Sequence, residues 1–357
     1  MSAAHATVDL DDTDGLLEAD RDGLLRSAAM SGAQVRATAA AVEEGALESL
    51  ASDQRPRTVI WLAGRGPAEA AGAMLSAALG ATAAEPIVTA AQVPPWIGPL
   101  DVLIVAGDDP GDPVLVSAAA TAVRRGARVA IAAPYEGPLR DATAGRAAVL
   151  APRLWVPDEF GLCRYLAAGL AALGAVDRGI STDLGTLADE LDAEALRNSA
   201  VRQVFTNPAK VLAERISGRR AVLAGDCPGT LALARHGGAV LLRVGGHPIA
   251  ATGLADALVA LRGRTPRFAD PVEALFHDEE IDGPLPGRPR VLALSLAEER
   301  PVLSARIAGI DDVDLVGVED VGEAGSVPAA GARSEQQLAT LAVRLEMAAV
   351  YLRLAGG

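Results

Sequence analysis

Within Asp101–Ala133 the apolar positions fall into two short continuous runs separated by a helical spacing. Val102–Ala106 is apolar at every position, which predicts a strand buried on both faces. The run breaks at Gly107 into the polar loop GDDPGDP, residues 107–113. From Val114 to Arg125 small and apolar residues share one side, the last turn is basic, and Gly126 stops the helix. Arg128–Ala133 is the second apolar run. Strand, loop, helix and strand have the length of a parallel βαβ crossover. Ligands of open sheets bind outside the carboxyl ends of the strands, so the loop is the first place to look for chemistry.

The same patterning predicts the rest of the chain. Residues 1–14 are acidic and read as loose, and a helical spacing with Leu24, Leu25, Ala28, Ala29 and Val35 on one face runs from Leu16 to about Leu50. After the linker Ser52–Arg57, Thr58–Ala63 is a buried strand, followed by the turn Gly64-Arg65-Gly66-Pro67 and an alanine-rich helix to Leu79. Pro86–Val88 and Ala147–Ala151 are short strands, and a helix spans about Asp158 to Leu173. Residues 174–207 read as a polar connection. Asn207-Pro208 opens a helix closed by Gly218; Ala221–Ala224 is a strand, Gly225–Gly229 a turn and Thr230–Arg235 a helix. Ser334–Leu354 is a periodic helix capped by Ser334, with an apolar face suited to docking another subunit.

The chain repeats itself. Leu62–Pro67 (LAGRGP) is matched by Leu223–Pro228 (LAGDCP), and Val102–Ala118 by Val291–Ala305, in the same order and at similar separation. Two copies of one α/β domain account for both matches. The expected organisation is a helical segment at 1–57, a doubly wound α/β domain at 58–173, a helical connection at 174–206, a second such domain at 207–333 and a long helix at 334–357.

Composition narrows the chemistry. Of 357 residues half are hydrophobic but only 3% aromatic, so Ala, Val, Leu and Ile build the cores. A net charge of −14 argues against nucleic acid and anionic membrane as partners. Lys210 is the only lysine, so any clamping or Schiff-base lysine is that one. Cys163 and Cys227 are far apart and lack partners at metal-ligand spacing, which reads as plain thiols of a reducing compartment. No run is long enough to span a membrane and the start lacks a basic, then apolar, leader, so the expected location is cytoplasmic. No cofactor and no metal ligand set is assigned.

Several residues are candidates for function. Arg65 can reach a phosphate from the first strand–helix turn, or is a solvated loop arginine; Gly64 and Gly66 serve the tight turn and ligand approach. Gly107, Asp108 and Asp109, with Asp112, can bind sugar hydroxyls or Mg²⁺, or cap a helix. His247, between Gly246 and Pro248, and His236, beside Gly237-Gly238, are the candidate catalytic histidines. Gly225, Asp226 and Thr230 mirror the first turn as candidate ligand contacts.

Asn207–Asp226 (NPAKVLAERISGRRAVLAGD), VRRGARVAIAAP at 123–134 and the long final helix together resemble the sugar isomerase (SIS) fold, and within it the bifunctional phosphoglucose/phosphomannose isomerase family. The resemblance implies aldose–ketose isomerisation of a hexose 6-phosphate through an enediol, in a homodimer with a shared site. A carboxylate would move the proton between C1 and C2 and a histidine would assist ring opening. The chain departs from that family at three points. Its loop after the second strand is Ala106-Gly107-Asp108-Asp109-Pro110-Gly111-Asp112-Pro113 instead of a Ser/Thr-rich phosphate cradle. The stretch Val244–Leu258 holds His247 and Asp256 but no glutamate, and the C-terminal region has no lysine. Two unit charges a few Å apart repel by about 1 kcal/mol in water and several times that in a cleft, so a phosphate dianion does not suit that loop directly. A catalytically silent sugar-phosphate-binding regulator or interaction subunit is the alternative.

Overall fold

The computed structural model describes residues 7–52, 54–262, 288–319 and 333–356; residues 1–6 of the acidic start lie outside these. In chain order the elements are α1 (Thr13–Ala19), α2 (Leu24–Ala28), α3 (Ser31–Glu43), β1 (Thr58–Ala63), α4 (Pro67–Leu79), β2 (Ile87–Ala90), β3 (Asp101–Ala106), α5 (Pro113–Arg124), β4 (Arg128–Ala132), α6 (Gly137–Thr143), β5 (Ala148–Val149) and α7 (Leu162–Val176). There follow α8 (Leu184–Arg197), α9 (Pro208–Ile216), β6 (Ala221–Gly225), α10 (Pro228–Arg243), β7 (Ala250–Gly253), α11 (Leu254–Arg262), β8 (Arg290–Leu294), α12 (Arg300–Ile307), β9 (Val313–Val316) and α13 (Ser334–Gly356).

Two parallel sheets form, ordered β2-β1-β3-β4-β5 and β7-β6-β8-β9. Both place the second strand outside the first and then reverse, which is the doubly wound arrangement, used twice. The apolar runs explain why. β1 and β3 are buried almost throughout, and the pleat sends alternate side chains to opposite faces. Val59 and Trp61 enter the core shared with the helices between the sheets, while Ile60 and Leu62 pack with α5 residues Leu115, Ala118 and Ala122. In the second sheet Leu223, Leu292 and Leu294 join the shared core and Val291 and Ala293 form a small outer core with Leu254 and Leu303.

Capping fixes where the helices start. Proline stands first in α4, α5, α9 and α10, where the missing N–H has no partner to lose. Asp112 caps α5, Asn207 caps α9, and Cys227 and Thr230 cap α10 reciprocally. α4 and α10, the first helix of each repeat, pack antiparallel: Gly66 before α4 lies near Arg243 at the end of α10, and Gly229 at the start of α10 lies near Ala77 of α4. That contact joins the two halves.

Three sequence expectations need correction. The spacing from Leu16 to Leu50 is not one helix; Asp20 accepts from the Leu24 and Leu25 N–H groups and Gly23 takes a positive φ of 66°, which breaks it into α1, α2 and α3. The described part of the acidic start is docked, with Asp12 capping α1 and Asp11 accepting from the Val204 N–H at 2.7 Å. α13 is not a one-faced helix for subunit docking: every residue from Gln337 to Leu352 is buried within the chain. Its charged members are partnered inside. Arg344 pairs with Glu194 of α8 at 2.8 Å and Glu346 with His236 of α10 at 2.9 Å.

Candidate functional site

The carboxyl ends of β1 and β3 meet at the point where the strand order reverses. The ladder runs one residue past each strand, with the Gly64 N–H donating to the Ala106 carbonyl at 2.8 Å and the Gly107 N–H to the Ala132 carbonyl. A side chain at Gly107 would collide with Leu115, so the bare backbone lets α5 close against the strand end. Gly66, at φ 76°, turns the chain into α4.

The acidic loop does not converge on a ligand as a set. Asp112 accepts from the Val114 N–H as the cap of α5, and Asp109 accepts from the Gly111 N–H at 2.7 Å. Asp108 turns the other way, into a small cavity that Asp158 also lines. Burial first, and then the neighbouring Asp108 carboxyl, push Asp158 up to about 6. Arg65 is exposed and makes no hydrogen bond or ion pair with a described residue.

A different cavity lies where α4 meets α10. It encloses about 280 Å³ and is lined by Gly66, Glu69, Glu159, Arg235, His236 and Arg243, with small side chains of both helices between them. Arg243 pairs with Glu159 at 2.6 Å, both partly exposed. Arg235 and Glu69 are exposed and have no partner among the described residues. His236 corrects the expectation of a helix ending at Arg235: α10 runs on to Arg243 and buries this histidine in its middle. His236 Nε2 faces Glu346 Oε1 at 2.9 Å, which fixes the orientation of the ring. Complete burial pushes Glu346 up, partly offset by His236, and its second oxygen has no partner. An acid–base group oriented by a buried carboxyl beside an open cavity is an arrangement able to move protons.

The other candidates are not brought to this cavity. His247 sits on a surface loop with Nδ1 donating to the Gly245 carbonyl at 2.6 Å. Asp226 is held by Arg306 through two contacts of 2.5 and 2.7 Å. Thr230 is fully buried as half of the α10 cap, and at Gly225 a Cβ would run into the backbone of α10. Gly225 and Thr230 close the end of β6 onto α10, and Asp226 ties it to α12. Sequence reasoning missed Glu69, Glu159, Arg235, Arg243 and Glu346. The signal for Glu69 was its place in the first turn after G-R-G-P; Glu346 lies in an apolar stretch where a charge needs a buried partner. Among the described residues no three or more His, Cys, Asp or Glu are grouped to hold a metal ion, and no helix is long and apolar enough to cross a membrane.

No protein-family profile and no curated protein matches the chain. Its fold does match solved structures. Tagatose-6-phosphate ketose/aldose isomerase from Escherichia coli aligns with TM-score 0.62 at 15% identity, over 99% of this chain and 96% of that one. The C-terminal domain of glucosamine-fructose-6-phosphate aminotransferase from Francisella tularensis aligns with TM-score 0.56 at 10% identity, over 93% and 95%. A glucose-6-phosphate isomerase like protein from Thermus thermophilus aligns with TM-score 0.53 at 20% identity, over 98% and 94%. The chain therefore has the SIS fold, two tandem doubly wound units with helices before and after, over nearly its whole length.

Proposed function

We propose that this SIS-fold chain binds a phosphorylated sugar in the α4–α10 cavity and isomerises it between aldose and ketose, with glucose 6-phosphate and mannose 6-phosphate as the first substrates to try. The observation that carries the reading is the cavity itself, where Arg235, Arg243, Glu69 and the His236–Glu346 pair converge on one space at the start of a helix. The names of the structural neighbours, which include a tagatose-6-phosphate ketose/aldose isomerase and a glucose-6-phosphate isomerase like protein, support the ligand class.

The chemistry divides among the residues by charge. α4 contributes its dipole to an anion but few donors: Pro67 has no N–H, and the Glu69 and Ala70 N–H groups both point to the Gly66 carbonyl. The arginines must therefore carry the phosphate, Arg243 exchanging the Glu159 carboxylate for it. Glu69, the carboxylate without a partner, is the group to move the proton between C1 and C2 of the enediol. His236, oriented by Glu346, assists ring opening. A homodimer, a cytoplasmic location and a domain division at residues 58–173 and 207–333 belong to the same proposal.

A second reading, a catalytically silent sugar-phosphate-binding regulator or interaction subunit, is favoured by one observation. Asp109 and Asp112, where the family pattern has phosphate ligands, are held by local turns. Deuterium exchange separates the two. Incubation in D2O with glucose, mannose and fructose 6-phosphates, followed by proton NMR at C1 and C2, should show exchange with the wild type and none with Glu69→Gln. Binding without exchange in the wild type supports the silent reading, and neither binding nor exchange overturns both.

A further inference from the structure

A groove of about 450 Å³ lies between the amino-terminal helices and α8 and shares no residue with the α4–α10 cavity. Leu25 of α2, Ala195 of α8 and Met347 of α13 are buried at its floor, while Leu17 of α1 and Leu196 of α8 stand on its walls. Those two leucines are 54% and 69% exposed, which leaves both walls apolar and in water. Val201 and Phe205, on the segment after α8, are more exposed still. That segment is tied to α1, where the Thr13 hydroxyl donates to the Ala200 carbonyl at 3.2 Å. Grouped apolar side chains left in water mark a surface that another apolar surface covers.

Charge selects the occupant. α1 carries Asp14 and Glu18 and no cation; both are exposed and make no hydrogen bond or ion pair with a described residue. Asp14 precedes Leu17 by one turn and shares its face. On the opposite wall Asp189 and Asp192 of α8 share a single guanidinium, that of Arg36. Arg197 of α8 is taken by Glu194, so Arg26 is the one lining cation to set against this excess of carboxylates. A second copy of the chain, whose net charge is −14, would bring the same acidic rim against this one. We infer that the groove takes an amphipathic helix of another protein, its apolar face laid between Leu17 and Leu196 and its flanking Lys or Arg residues facing Asp14 and Glu18. Apolar anchors at i, i+3 or i+4 and i+7 are how such a helix fills a groove, and the space admits about three of them rather than a whole helix. The inference is independent of the proposed function, because no residue of the α4–α10 cavity takes part in it.

Two fluorescently labelled peptides of about 14 residues, long enough to hold a helix, test this by anisotropy with the full-length protein at low salt. Both are alanine-based with leucines at the anchor spacing; one carries lysine on its flanks and the other glutamate at the same positions. The lysine peptide should saturate and bind about tenfold or more tighter than the glutamate peptide. Its binding should weaken by about tenfold or more in Leu17→Ser/Leu196→Ser. Both substitutions fall on exposed side chains, so the urea midpoint of that variant should match the wild type. Asp14→Asn/Glu18→Gln, which alters charge alone, should weaken the lysine peptide by about threefold or more. The inference is overturned by no saturation with the lysine peptide up to about 1 mM, by equal affinity for the two peptides, or by binding unchanged in Leu17→Ser/Leu196→Ser. Self-association of the wild type in sedimentation that the leucine variant abolishes would assign the groove to a second copy and overturn it equally.

Discussion

Removing Arg344 tests whether the charged residues of the buried final helix hold the molecule together. Arg344→Met keeps an unbranched apolar stem and deletes the guanidinium. Three contacts go with it: Nε to Glu194 at 2.8 Å, Nη1 to the Gly317 carbonyl at 2.7 Å and Nη2 to the Val318 carbonyl at 3.2 Å. Breaking a buried ion pair from one side costs about 3–5 kcal/mol, because the other charge stays behind in the interior. Glu194 is not left bare. Arg197 remains at 3.0 Å and the Asn198 amide at 2.7 Å, which moves the expectation to the lower end of that range. Arg344→Met should therefore lose about 3 kcal/mol, read from the midpoint of urea unfolding. The double variant Arg344→Met/Glu194→Leu should recover most of it. Acid gives a second readout. Burial pushes Glu194 up, but Arg344, Arg197 and Asn198 outweigh it, leaving the carboxyl below its usual range. A depressed carboxyl contributes stability above the unfolded value and loses it as pH falls through the folded one. The wild type should accordingly lose its advantage over the double variant below about pH 4. A drop of less than about 1 kcal/mol in Arg344→Met, or a double variant no better than the single one, would refute the reasoning.

Three further outcomes follow from buried groups elsewhere. Glu346 is raised by burial, so its contribution is present at low pH and lost as pH rises through its folded value. Thermal melts should show the wild type losing ground to Glu346→Gln as pH rises from about 5 to 8. Lys210, fully buried, donates to the Ala200 and Arg202 carbonyls at 2.8 and 2.7 Å and lies 5.5 Å from the Tyr351 ring centroid. Lys210→Met leaves two carbonyls unmet and should cost about 2–4 kcal/mol, measured by urea unfolding. Gly72 of α4 and Gly169 of α7 make room for the Trp61 ring, and a Cβ at Gly169 would lie 2.9 Å from Cζ3. Gly169→Ala should overpack the site, lower the stability by about 1–3 kcal/mol and shift the Trp61 emission.

The fold was legible because strands buried on both faces leave unbroken apolar runs. Thr58–Ala63 and Val102–Ala106 needed nothing but that signal, and the repeated L-A-G-x-x-P turn showed that the arrangement occurs twice. The final helix misled for a physical reason: alanines and leucines at helical spacing look one-faced, and only the Glu194 and His236 partners, 150 and 110 residues away, reveal that the charged face is buried too. The candidate site was legible in part. Gly66 and His236 border the α4–α10 cavity, yet the helix packing that brings Glu69 to Arg235 is a tertiary fact, and no spacing rule reports it. Asp226 and Thr230 looked like ligand contacts because they repeat the first turn in position; their chemistry is used by Arg306 and by the α10 cap.

The central claim, that the α4–α10 cavity holds a phosphorylated sugar, is met most directly by titrating mannose 6-phosphate against the wild type, Arg235→Ala and Arg65→Ala by calorimetry. The account predicts saturable binding that weakens by about tenfold or more in Arg235→Ala, equivalent to about 1.4 kcal/mol or more, and stays level in Arg65→Ala, whose side chain lies outside the cavity. Equal affinity in Arg235→Ala and the wild type, or a loss confined to Arg65→Ala, would contradict it.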